Sequence, residues 1–122
     1  MGFFYHLQEL ETAARYGLNV VCVVNNNEAL NQEQDLWEDG AIYDRNWRFE
    51  STDFVQLAES LGCVGIRVEQ PAEFPAALER AFTAGRPVVI DAKTDISARA
   101  PGPWMPGGQG APGSFFGAAP EE

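Results

Sequence analysis

The feature that most constrains this chain is the run Val20-Val21-Cys22-Val23-Val24, five apolar residues followed directly by Asn25-Asn26-Asn27. Four of the five are β-branched valines, which suit a pleated strand. An apolar run without alternation has no polar face to offer solvent, so it predicts a central parallel strand covered on both sides. In open α/β sheets, ligands gather at the carboxyl ends of the strands. The three amides at that end are therefore the first candidates for chemistry. The competing reading is a plain turn, since asparagine tolerates left-handed backbone and hydrogen-bonds its own chain.

The flanking sequence alternates between helical and strand patterns. Phe3, Leu7, Leu10 and Ala14 recur on one helical face over residues 3–16, and Gly17 suits the left-handed exit. Thr52 or Asp53 can cap a second helix carrying Phe54, Leu57, Ala58 and Leu61, which Gly62 ends before a strand over 63–68. Pro71 opens a third helix with Phe74, Ala77, Leu78, Ala81 and Phe82; Gly85 and Pro87 then lead into the strand Val88-Val89-Ile90. This order predicts an α/β, three-layer domain with a mainly parallel sheet over residues 1–96. Residues 97–122 hold five prolines and six glycines, the composition of an extended tail, in which Trp104, Met105, Phe115 and Phe116 are candidate anchors on a neighbouring surface.

Residues 28–50 lose any clear period. A connection of that length reads as a lid or partner-facing loop. Its aromatics Trp37, Tyr43 and Trp47 either line a substrate mouth or pack the loop itself. Its acidic residues from Glu28 to Asp39 read as solvated surface, with a second metal site as the alternative.

Charge narrows the partners. The 122 residues hold eight Lys+Arg against eighteen Asp+Glu, a net charge of −10, which opposes binding to nucleic acid or an anionic membrane. No apolar run approaches the roughly 18 residues that span a bilayer, and no basic segment leads into a signal-like stretch, so a cytoplasmic protein is expected. Cys22 and Cys63 lack metal-type spacing and have no adjacent basic residue, which makes them reduced core residues. His6, the single histidine, reads as a surface or helix-contact residue.

Several blocks in order carry a family resemblance: Gln8-Glu9-Leu10, Arg15-Tyr16-Gly17-Leu18, Asn26-Asn27, Thr52 to Ala58, Gly65-Ile66-Arg67-Val68, and Gly85 to Asp91. Over about residues 2–96 the chain resembles the C-terminal, diphosphate-binding domain of thiamine-diphosphate-dependent enzymes, most closely the acetolactate synthase large subunit and its decarboxylase and carboligase relatives. The family motif is Gly-Asp-Gly, about two dozen residues, then Asn-Asn, whose oxygens hold Mg²⁺ against the cofactor's diphosphate. By position, the resemblance makes Asn27 the metal-ligating asparagine and Asn26 its partner. Ala29 supplies a backbone carbonyl to the metal, and Gly2 and Phe3 follow the glycine-rich triplet beside the cofactor. Met1 stands where the last glycine of that triplet belongs, and Asn25 falls where the family places an apolar residue.

The resemblance implies a fragment of a thiamine diphosphate- and Mg²⁺-dependent 2-keto acid decarboxylase or carboligase that contributes the Asn-Asn half of the site. Alone it is expected to be inactive, because the family's activating glutamate comes from another domain. Its expected partners are a 2-keto acid substrate and either further copies of itself or the missing N-terminal domains. A non-catalytic interaction module or split subunit is the alternative.

Overall fold

The structure is a computed structural model that describes residues 2–30 and 48–98. Trp37, Tyr43 and Trp47, the acids from Glu33 to Asp39, and the candidate tail anchors lie outside the described residues.

A 3-10 turn, Gly2–His6, leads into helix α1, Leu7–Arg15. Strand β1 is Val21–Asn26, helix α2 Phe54–Ser60 and strand β2 Val64–Val68. A second 3-10 turn, Pro71–Glu73, precedes helix α3, Phe74–Phe82, and strand β3 is Val88–Lys93. The sheet order is β1-β3-β2, with both pairings parallel. The predicted alternation and parallel sheet are thus present. The first helix is shorter than its periodicity implied, since its first turn is wound as 3-10.

Side-chain alternation along β3 explains the layering. Val89 turns to one face and joins Leu10, Val24, Phe54, Ala58 and Cys63, beneath α1 and α2. Val88 and Ile90 turn to the other and join Ile66, Val68, Ala77 and Ala81, against α3. All three β3 residues are fully buried, and each such side chain contributes about 1.5–3 kcal/mol relative to exposure.

The central strand is therefore β3, and among the described strands β1 lies at the edge. Val23, opposite Ile90 on the α3 side of the sheet, is 46% exposed. An apolar, β-branched run suits either position, so composition could not decide between them. Strand β3 also runs past the predicted Val88-Val89-Ile90 through Asp91 to Lys93. A charge inside a central strand is tolerated when it is paired and hydrogen-bonded.

Asp53 caps α2, its Oδ1 accepting from the Gln56 N–H at 3.0 Å, and the same oxygen lies 2.8 Å from Arg67 Nη2. The backbone hydrogen bond, and then the guanidinium, hold this carboxyl below the ordinary aspartate range. Protonation therefore favours the unfolded chain. The stabilisation is complete above the unfolded pKa, about pH 4, and is lost as pH falls through the lower folded value. Asn is an equally good cap but does not titrate. Asp53→Asn is expected to flatten the acid limb of a thermal-denaturation series while leaving the helix capped. Glu28, Glu73 and Asp95 are also shifted down and retain part of the slope.

Candidate functional site

Three polar side chains line up across the carboxyl end of the sheet on the α1–α2 face. Asp91 on β3 lies opposite Val24 of β1 and Arg67 of β2. Two residues beyond Val24, Asn26 points to the same face, and its Nδ2 donates to Asp91 Oδ1 at 2.7 Å. Arg67 approaches from the other side with Nε 3.6 Å from Asp91 Oδ2 and links onward to Asp53. Asp91 is fully buried and Asn26 nearly so, whereas Arg67 and Asp53 reach solvent. Asp91 Oδ2 accepts no hydrogen bond, so the Arg67 charge is what offsets its burial.

The row continues into the turn after β1. Asn26 Oδ1 accepts from the Glu28 N–H at 3.3 Å, so both polar ends of that amide are engaged. Glu28 has φ 58°, the left-handed region, which is uncommon outside glycine, asparagine and aspartate. Three outside contacts hold it there. Its carbonyl accepts from the Phe49 N–H at 2.7 Å, and its carboxylate receives Lys93 Nζ and Ser51 Oγ, each at 2.9 Å. Those two side chains hold the Glu28 carboxyl below its usual range. Asn27 Oδ1 accepts from the Ala29 N–H at 3.1 Å. An amide oxygen has two lone pairs, so this bond orients Asn27 without exhausting it.

The turn borders two hollows. One, of about 60 Å³, is lined by Asn27, Ala29, Phe3, Phe4, Phe49 and Phe54. Phe3 stands edge-on to Phe54 with ring centroids 5.4 Å apart. The other, of about 360 Å³, is lined by Asn27, Glu28, Arg48, Lys93, Thr94 and Ile96.

Of the residues singled out in the sequence, Asn26, Asn27, Ala29 and Phe3 therefore meet around one hollow. Gly2 opens the adjoining 3-10 turn with nothing within 4 Å of where a Cβ would stand. Asn25 also borders that hollow, but its side chain turns to the opposite face of the sheet, where it accepts from the Thr94 hydroxyl. His6 is exposed at the end of the 3-10 turn. Cys63 is buried, its thiol 3.6 Å from the Leu10 carbonyl, and burial pushes both thiols up. Among the described residues no cluster of three His, Cys, Asp or Glu is placed to hold a metal. Asn27 Oδ1 and the Ala29 carbonyl are hard neutral oxygen donors of the kind magnesium accepts, while the Glu28 carboxylate is engaged by Lys93 and Ser51. Asp91 and Arg67 were not singled out as site residues. The available signal was an acid set directly behind Val88-Val89-Ile90, where a buried strand has no ordinary place for a charge.

In a parallel α/β domain, a polar turn at the carboxyl edge of the sheet stands where ligands bind. The chain belongs to the family described as "Thiamine pyrophosphate enzyme, C-terminal TPP binding domain", whose model matches residues 1–92. It is 38% identical over 96 residues to the acetolactate synthase large subunit of Haemophilus influenzae, covering 75% of this chain and 17% of that protein. It is 34% identical over 98 residues to acetolactate synthase of Bacillus subtilis, covering 79% of this chain and 17% of that protein. A third relative, the putative thiamine pyrophosphate-containing protein YdaP of Bacillus subtilis, is 32% identical over 90 residues, covering 74% of this chain and 16% of that protein. The chain thus spans about a sixth of the length of the curated relatives it matches. No helix among the described residues is long and apolar enough to cross a membrane.

Proposed function

We propose that this chain supplies the asparagine side of a Mg²⁺–thiamine diphosphate site in an acetolactate synthase-like 2-keto acid decarboxylase or carboligase. The observation that carries the reading is the Asn27–Glu28–Ala29 turn, held open at the carboxyl edge of the sheet beside Phe3. Asn27 Oδ1 and the Ala29 carbonyl are the oxygens assigned to the metal. Asn26, Gly2 and Phe3 border the cofactor. Thiamine diphosphate, when bound, supplies the carbanion chemistry by which a 2-keto acid loses CO₂ and its acyl unit passes to an acceptor. This chain's residues hold and orient: the amide fixes the metal end, and the aromatic wall of Phe3, Phe4 and Phe54 keeps that side of the hollow apolar.

Two neutral oxygens are a minority of the six or so ligands that Mg²⁺ takes. Full affinity needs the diphosphate and an anionic protein ligand as well, so the isolated chain is expected to bind weakly and to show no turnover of 2-keto acids. Calorimetric titration of Mg²⁺ with thiamine diphosphate tests this. Saturation only far above about micromolar concentration, abolished by omitting the metal, supports the reading. Metal-independent binding would remove the role assigned to Asn27.

The edge position of β1 among the described strands favours a second reading, a subunit that completes its site by association. Leu18, Val20 and Val23 are each about half exposed along or beside that strand, and an apolar edge with no partner among the described residues invites pairing.

A further inference from the structure

We propose that Asp91 is a positioning residue of the asparagine turn: through Asn26 it sets the backbone that aims Asn27 and the Ala29 carbonyl. The inference rests on the proposed role of that turn as a metal and diphosphate site. Its basis is a continuous chain of contacts. Asp91 sits on the central strand, fully buried, where the backbone ladders to both neighbours fix its place. Asp91 Oδ1 receives Asn26 Nδ2 at 2.7 Å, the tightest link in the row, and thereby decides which end of the amide faces outward. Amide oxygen and nitrogen differ only in hydrogen-bonding sense. With the nitrogen committed to a carboxylate, the oxygen must point to the turn, where it accepts the Glu28 N–H. That acceptor lies where Glu28 adopts φ 58°. The left-handed residue in turn brings the Ala29 N–H back onto Asn27 Oδ1. An apolar residue at 91 would leave Asn26 free to flip, presenting an N–H donor to the Glu28 N–H donor, and the turn would lose its inner support.

Arg67 gives the device its polarity. Its guanidinium, which can only donate, stands 3.6 Å from Asp91 Oδ2, so the position calls for an acceptor. Asp91 touches neither of the assigned ligand residues in the described contacts. It acts on Asn27 only through Asn26 and the turn, as outer groups act on metal ligands elsewhere.

The test uses the full chain, with backbone amide NMR for the turn and a Mg²⁺–thiamine diphosphate titration for the site. Asp91→Leu keeps the branched skeleton, with methyls in place of the two oxygens, and so removes both acceptors; Asp91→Asn keeps one carbonyl oxygen for Asn26. Asp91→Leu is expected to displace the Glu28 and Ala29 amide resonances and weaken the metal-dependent response about 10–100-fold, the usual loss for an outer partner of a ligand. Asp91→Asn is expected to restore the Glu28 and Ala29 resonances and most of the response. If Asp91→Leu leaves both resonances where they are in the parent, the proposal is overturned. Should Asp91→Leu not fold, Asn26→Ala decides: Ala29 must move together with Glu28, and an unmoved Ala29 overturns the proposal. Asn27→Ala separates this from the underlying reading. If its metal response matches the parent, the ligand assignment fails, while the turn resonances still judge Asp91.

Discussion

Gly65→Ala is expected to destabilise the fold by about 1–3 kcal/mol, the cost of forcing added volume into a packed interface, with the upper end favoured. The reason is where the methyl would go. A Cβ at Gly65 would stand 2.7 Å from Val55 Cα and 2.8 Å from the Val55 carbonyl oxygen. A side-chain neighbour can change rotamer, but backbone of α2 cannot yield without lifting the helix from β2. That movement would loosen Phe54 and Ala58, both buried in the cluster around Val89, and would shift Asp53 away from Arg67 on the same strand. Urea denaturation followed by far-UV circular dichroism checks it. Gly17→Ala is the control: its φ is 64° but nothing lies within 4 Å, so it carries only the left-handed penalty of roughly 1–2 kcal/mol. An unchanged midpoint for Gly65→Ala would show that α2 does not lie this close to β2.

The second large effect is on ligand binding. Asn27→Ala is expected to weaken metal-dependent thiamine diphosphate binding by more than the roughly 10–100-fold typical of outer-partner changes, since it removes an oxygen assigned to the metal itself. Asn25→Ala is the matched comparison, because Asn25 faces the other side of the sheet and bonds Thr94; its affinity should stay at the parent value. Equal losses in the two variants would mean that the asparagines act through the strand rather than through ligation. A loss confined to Asn27, with unchanged melting, is the expected result.

Local features were legible in the sequence because local chemistry produces them. Gly17, Gly62 and Gly85 were expected at helix exits and all have positive φ, as a residue without Cβ allows. Asp53 was one of two expected caps for α2, and its carboxylate makes the bond. What the sequence left hidden depends on partners distant along the chain. Nothing in the valine run reveals that β1 pairs on one side with β3 or that Val23 stays half exposed. Likewise, the resemblance marks Asn26 only as the partner of Asn27; what holds it is visible once the parallel register brings Asp91 to it across 65 positions. The family resemblance supplied the role expected of Asn27. It did not supply the arrangement that orients it, because hydrogen-bonding sense is set by neighbours in space.

The strand order also carries a kinetic meaning. Strands β2 and β3 are linked through a 3-10 turn and α3, so their parallel pairing closes a short stretch of chain. Pairing of β1 with β3 brings Val21 to Val88, 67 positions apart, against 24 from Val64 to Val88. Loop-closure entropy rises with the length enclosed, and distant contacts are made after local ones reward the collapse. The strand that bears the asparagines is on this account the late arrival. Its turn takes shape against a template already assembled from Asp91, Arg67 and the capped α2, so the readiness of the site records the completion of folding.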